Sequence, residues 1–182
     1  WEELLDGYET RAAVPSYGIV PEALRSKEDE AYISIAPEVT TRFEQVCREA
    51  GATISNGVEL AWGMVLGTCS RQDDVVFAKV VSGRDNAGVK TEDVVGLFIN
   101  SVPVRIRIDQ NTTARAALKA LQAQTARSNA YDYCPLSEIQ KRSYPGSDLL
   151  QTVLAFENYN SGREEKGSED ILKPVCTREE RF

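Results

Sequence analysis

The chain has 182 residues, 42% hydrophobic and 27% charged, which suits one domain or one large lobe with a proper core. Its 28 Asp and Glu outweigh 21 Lys and Arg, and a net charge of −7 repels phosphate backbones, which argues against nucleic acid as a partner. No run approaches about 18 consecutive apolar residues, so no membrane span is expected, and the opening at Trp1 has no basic and apolar stretch of the secretory kind.

Residues 1–24 read as loosely structured beyond a short first turn, punctuated by Pro15, Gly18 and Pro21. Ala31-Tyr32-Ile33-Ser34-Ile35 alternates as a strand does. Pro37 suits a first helical turn, and Val39, Phe43, Val46, Cys47 and Ala50 follow at helical spacing until Gly51 ends the helix. Ser55 or Asn56 caps the next helix, where Val58, Ala61, Trp62, Val65, Leu66 and Cys69 make a broad apolar face. Asp73 and Asp74 lead into Val75-Val76-Phe77-Ala78-Lys79-Val80-Val81, a nearly continuous apolar run suited to a strand covered on both faces.

A polar, glycine-bearing loop follows over 82–93. Residues 94–108 predict another strand, with Val102, Val104, Ile106 and Ile108 alternating against Pro103, Arg105 and Arg107. Pro103 lacks the amide that a ladder needs and points to an edge, a bulge or a crossing. Thr112 or Thr113 caps a helix running to about Asn129, with Ala114, Ala117, Leu118 and Leu121 inward. Pro135 starts a short helix through Gln140, and 149–156 read as a strand. Beyond Asn158 the composition turns polar and charged and reads as loop. Together the elements predict an α/β fold, a two-layer sandwich of helices on a sheet.

The chain contains no histidine, which removes Ser-His-Asp and Cys-His catalysis and the commonest general base. If the fold belongs to a histidine-dependent enzyme, that chemistry lies elsewhere. Cys47, Cys69, Cys134 and Cys176 are widely spaced and form no C-x-x-C pair, so no structural zinc site is expected and the protein reads as reduced and cytoplasmic. Asn111-Thr112-Thr113 has the form of a glycosylation sequon, but in that setting it reads as a helix start.

Four segments in order carry a resemblance. Residues 72–84 end in Val81-Ser82-Gly83-Arg84, similar to V-S-G-R; Val95-Gly96-Leu97-Phe98-Ile99-Asn100-Ser101-Val102-Pro103-Val104-Arg105 is similar to V-G-x-F-[VI]-N-[TS]-x-P-x-R. The run from Tyr131 to Gln140 resembles Y-x-P-L-x-E-I-Q, and 149–159 ends in Phe156-Glu157-Asn158-Tyr159. Trp1 with Leu4, Leu5 and Gly7 resembles the W-x-x-x-L-x-G that precedes the link between lobes. In order and spacing these resemble the C-terminal half of a condensation domain of non-ribosomal peptide synthetases, in the chloramphenicol-acetyltransferase-like superfamily. The motif style favours condensation over epimerisation or heterocyclisation.

The resemblance implies two similar lobes around a tunnel, with this chain as the C-terminal lobe on a mixed β-sheet. Residues 1–24 would be the inter-lobe linker and 25–182 the lobe, incomplete at its C-terminal end. It further implies donor and acceptor carrier proteins as partners. They bring phosphopantetheine-tethered substrates to the tunnel, and the chain itself binds no cofactor and no metal. A His-His-x-x-x-Asp-Gly motif on the other lobe would assist amide formation, so this lobe would supply a tunnel wall and be inactive alone. Self-association through the exposed inter-lobe face is expected. Two alternatives stay open: a non-catalytic docking module of the same superfamily, and a lobe of a related ester-forming acyltransferase. The chain departs from the family pattern at Ala78-Lys79, where a glycine and a small residue are usual, and at Asn129, where a histidine is common.

The tunnel candidates are Ser82, Gly83, Arg84, Asn100, Ser101, Glu157 and Asn158. Arg84 either shapes the tunnel or anchors a loop. Asn100 either lines the tunnel or satisfies buried backbone groups where the strand bends. Gly83 and Gly96 read as permissive or close-packed backbone, and Glu157 and Asn158 as channel residues or turn-formers. Trp62 reads as core, and no catalytic residue is assigned.

Overall fold

The apolar run after Asp73 and the alternating run around Pro103 pair with each other. In this computed structural model, which describes residues 1–15, 31–84, 95–109 and 111–157, β1 (Asp74–Val81) and β2 (Asn100–Arg107) lie antiparallel. Asp74 stands opposite Arg107, Phe77 opposite Val104 and Val81 opposite Asn100. A two-residue β3 (Val153–Leu154) runs parallel to β1 on its other side, giving a mixed sheet in the order β2-β1-β3. β1 reads as continuously apolar because it is central: Val75 and Phe77 enter one core, Val76 the other, and all three are fully buried.

With α2 at Pro37–Glu49, one sheet face is covered by α3 (Ile54–Ser70), packed on β1 and β2, and by α4 (Ala114–Ser128), while α2 packs on these two helices. Leu60, Leu66, Phe77, Val104, Ile106, Leu118 and Leu121 meet there. α3 approaches closely because Gly63 faces the sheet, where a Cβ would stand 2.8 Å from the Ile106 Cβ. Its inward stripe is Asn56, Gly57, Glu59, Leu60, Gly63, Leu66 and Gly67. Ala61, Val65 and Cys69, expected on the apolar face, are exposed instead. Leu66 and Trp62 of the expected face do pack inward, and small and polar residues fill the rest of the close-packed side, so hydrophobicity alone marks only part of it. Its cap also shifts: Thr53 accepts from the Asn56 amide at 3.2 Å, while the Ser55 and Asn56 side chains turn to Glu59. Thr113 caps α4 in the same way.

The opposite face is covered by α1 (Glu2–Leu5), Tyr8 and α5 (Leu136–Lys141), which with Val76 and Leu149 enclose a second cluster of Leu5, Tyr8 and Ile139. The short first turn expected at the N-terminus is α1, and the rest of the described N-terminal segment up to residue 15, expected to be loose, is docked, with Leu5, Tyr8 and Ala12 all buried.

β2 is an edge strand of the described sheet, which accounts for Pro103. The Arg105 amide donates to Gln124 Oε1 at 3.1 Å and its carbonyl accepts from Gln124 Nε2 at 2.8 Å, so these backbone groups point away from β1. Pro103, two residues earlier, shares that orientation, and its missing N–H falls on the open side. Gln124 stands in for a neighbouring strand and blunts the edge.

Three expected strands shorten or vanish. Residues 31–36 join no strand of the described sheet, and Tyr32, Ile33 and Ile35 are exposed. β2 begins at Asn100 and not at 94, because its partner β1 ends at Val81. β3 keeps only two residues, since Leu149 closes the 3-10 turn Gly146–Asp148 and buries in the second cluster. The loop expected beyond Asn158, that residue itself and Cys176 lie outside the described residues.

Candidate functional site

β1 and β3 run parallel and both finish at one end of the sheet, where antiparallel β2 begins. The candidate residues 82–84, 100, 101 and 157 gather at that end for this reason. Ser82 follows β1 and is exposed, while Ser101 is half-buried opposite Val80. Glu157 is exposed three residues past β3, and Asn158 lies outside the described residues.

The two loops at this end interlock. Gly83 has φ +66° and lies so close to Phe98 that an added Cβ would collide with the Phe98 carbonyl. Only a residue without a side chain combines that backbone angle with that approach. Arg84 lies over the Phe98 ring, its guanidinium carbon 4.6 Å from the centroid, an arrangement that favours a cation on an aromatic face. Gly96, by contrast, has room for a Cβ, whose nearest contact would be Phe98 at 3.6 Å. Close packing is thus required at Gly83 and not at Gly96.

Asn100 has a defined task. Its side-chain amide donates to the Asp132 carbonyl at 2.7 Å and the Cys134 carbonyl at 2.8 Å. It staples the start of β2 to the turn before α5, joining two of the segments that carry the resemblance. Of its two alternatives, satisfaction of backbone groups is the one the geometry displays.

Beneath this end lies a polar network that the sequence reading did not assemble. Lys79, the lone charge in the apolar run of β1, is 8% exposed, and its ammonium is 3.6 Å from the carboxylate of Glu59, which is 2% exposed. Glu59 accepts from Ser55 at 3.1 Å and from Asn56 Nδ2 at 3.2 Å, and Asn56 reaches Thr125 of α4 at 2.9 Å. Three residues before Ser82, β1 is thereby tied to α3 and α4. A lysine inside a buried apolar run itself demands a counter-charge, and that signal was available in the sequence.

Other groups stand apart from this end. A groove of about 500 Å³ follows the outer edge of β2, between Trp1, Leu4, Ile106, Leu121 and Gln124, away from residues 82–84. Trp62 packs against the first core, as expected. Cys47 is buried and its thiol is pushed above its ordinary value by burial, Cys134 is half-buried, and Cys69 is exposed. Among the described residues no helix is long and apolar enough to cross a membrane.

The family model for the condensation domain matches residues 1–175. The chain belongs to the condensation-domain family. Tyrocidine synthase 3 of Brevibacillus parabrevis is 38% identical over 159 residues, covering 87% of this chain and 2% of that protein. Bacitracin synthase 1 of Bacillus licheniformis is 37% identical over 161 residues, covering 87% of this chain and 3% of its own length. The chain thus spans a small fraction of these curated relatives. Among solved structures, a holo four-domain nonribosomal peptide synthetase bound to AMP and glycine superposes with a TM-score of 0.62 at 20% identity, over 70% of this chain and 10% of that one. The first condensation domain of the CDA synthetase gives 0.57 at 19% identity, over 68% and 28%. At such identities these two show the fold. They agree with the α/β class read from the sequence, helices on a mixed sheet of the chloramphenicol-acetyltransferase-like kind. The family match runs through every segment from 72 to 159 that carried the resemblance, and so through the whole interlocked sheet end.

Proposed function

We propose that this chain is the C-terminal lobe of a condensation domain that forms peptide bonds between carrier-bound aminoacyl or peptidyl thioesters, and that its sheet end is one wall of the substrate tunnel. The observation that carries this reading is the convergence of the motif segments: Gly83 and Arg84 lock onto Phe98, and Asn100 staples the start of β2 to the turn at Asp132 and Cys134. Such interlocking holds a loop surface in fixed shape, as a site built for positioning needs. Apolar groups stand exposed at this end, Val80 and Val153 on one sheet face and Leu97 and Ile99 in the segment leading into β2. That surface suits a second lobe or tethered substrate.

In the reaction, the acceptor amine attacks the donor thioester carbonyl; a C–N bond forms, the C–S bond breaks, and the thiol leaves with a proton. This chain has no histidine to take the amine proton. The base is the second histidine of a His-His-x-x-x-Asp-Gly motif on the upstream, N-terminal lobe, and this lobe confines and orients the reactants. Ser82, Ser101 and Glu157 offer the polar groups at the wall, with Asn158 next in sequence. Phosphopantetheine enters as the arm of the carrier-bound substrates, donor and acceptor carriers being the partners, in the cytoplasm. Residues 1–24 connect the two lobes, with Leu5, Tyr8 and Ala12 docked on this one, and 25–182 make up the rest of the lobe. When the lobe stands alone, its exposed face promotes self-association.

The test is paired. This chain extended by its upstream lobe, and this chain alone, are assayed with loaded donor and acceptor carriers. Condensation by the extended protein only, abolished by replacing the second motif histidine, is expected. Condensation by the 182-residue chain alone would overturn the reading, and an extended protein that binds carriers without condensing them would make it a docking module.

A further inference from the structure

Arg105 sits on β2, facing the second cluster, and is only 5% exposed. Its Nε and Nη2 donate to the two carboxylate oxygens of Asp74 at 2.9 and 2.6 Å, and its Nη1 donates to the carbonyls of Leu4 and Asp6 at 2.8 and 2.7 Å. The guanidinium carbon lies 5.4 Å from the centroid of the Tyr8 ring. One buried cation therefore joins β1, β2 and the C-terminal end of α1, across about a hundred residues of sequence from the last. Cations are favoured at helix C-terminal carbonyls, and the planar fork is what lets one side chain serve a carboxylate and two carbonyls together. Around this centre Trp1 Nε1 donates to the Tyr131 carbonyl at 3.3 Å, Glu2 pairs with Arg142 at 2.9 Å, and Leu5 and Tyr8 fill the core.

We infer that Arg105 is a positioning residue: it makes residues 1–8 a rigid arm of this lobe, so that flexing between the two lobes occurs upstream of Trp1. This rests on the two-lobe reading above. With the arm rigid, the direction in which the chain arrives from the first lobe is set by this lobe's own sheet, and with it the width of the site between them. A displacement on the order of 1 Å at a reacting centre lowers the rate about a hundredfold, so this geometry bears on turnover.

The intact two-lobe domain, as wild type, Arg105→Lys and Arg105→Met, provides the test. Amide hydrogen exchange is read at Leu5 and Tyr8, whose amides donate to Trp1 and Leu5 carbonyls. Pulsed electron paramagnetic resonance gives the distance distribution between spin labels on the two lobes, beside the condensation rate. In wild type these amides should exchange as slowly as those of β2. In Arg105→Lys, which keeps the charge and loses the fork, they should exchange about a hundredfold faster, with a broadened inter-lobe distribution and turnover down about tenfold. A folded Arg105→Lys protein with unchanged exchange and distances overturns the inference. If neither variant folds, the wild type decides: protection at Leu5 and Tyr8 equal to β2 upholds the rigid arm, and exchange as fast as that of exposed residues 31–36 refutes it. An inactive wild type would count against peptide-bond formation, while exchange and distances would still judge Arg105.

Discussion

Replacing Lys79 by Met isolates what the Glu59–Lys79 pair contributes. Both side chains are buried and their charges are 3.6 Å apart. In Lys79→Met the Glu59 carboxylate keeps the hydrogen bonds from Ser55 and Asn56 but loses its counter-charge. Removing one member of a buried pair costs about 3 to 5 kcal/mol, and the two retained bonds put the expected loss near the lower figure, about 3 kcal/mol. Glu59→Gln in the same chain removes the uncompensated charge and keeps an acceptor for Asn56, so the double variant should lose only about 1 kcal/mol. The cycle of both single variants and the double should then show a coupling of at least about 2 kcal/mol. Urea unfolding of the intact domain, followed by circular dichroism with a common slope, measures these differences. A single-variant loss below about 1 kcal/mol, or a double variant as unstable as the two singles summed, would refute the network as described.

Asn100→Ala removes two hydrogen bonds to carbonyls and should cost about 2 kcal/mol in the same urea measurement, while Asn100→Asp, which turns a carboxylate toward those carbonyl oxygens, should cost more; the reverse order would contradict the staple. Gly83→Ala forces a Cβ into the Phe98 carbonyl at a positive φ and should lower condensation and stability together, by about 1 kcal/mol or more, whereas Gly96→Ala should be near neutral. In native protein a thiol reagent should modify Cys69 quickly and Cys47 only on unfolding, since Cys47 is buried and its thiol is held neutral; equal rates would count against the packing of α2. The carboxyls of Glu49, Asp109 and Glu138 lie below the usual range, held there first by the Gln45 side chain, the Asn111 amide and the Lys141 ammonium respectively. Groups depressed in the folded state add stability above the ordinary carboxylate range and lose it as pH falls through their folded values, so the urea midpoint should drop between about pH 5 and pH 2. A midpoint that holds constant or rises on acidification through that window would contradict these contacts.

Much of this is legible in the amino-acid sequence, and the exceptions have physical causes. β1 could be read because a central strand needs apolar residues on both faces, and α4 because Thr113 precedes a regular apolar stripe. The inward side of α3 is legible only at Leu66 and Trp62, because close helix–sheet approach is made by Gly63 and Gly67 and its buried carboxylate by Glu59, none of which scores as apolar. The strand expected at 31–35 has the right alternation, but alternation says nothing about whether a neighbouring strand exists. At the candidate site, resemblance located the segments, yet their linkage depends on partners distant in sequence: Asn100 with Asp132 and Cys134, Arg105 with Leu4 and Asp6. Local pattern carries no information on such pairings. Lys79 was conspicuous in its apolar run, and only the packing of α3 on the sheet selects Glu59 from the many acidic residues as its partner.

The most direct test of the tunnel wall is chemical blocking at the sheet end. Ser82→Cys in the active two-lobe domain is treated with a bulky maleimide beside the wild type, whose exposed Cys69, near the far end of α3, serves as the internal control. Modification should abolish condensation in Ser82→Cys and leave the labelled wild type active. Full condensation by the labelled Ser82→Cys protein would contradict the assignment of this sheet end to the substrate tunnel.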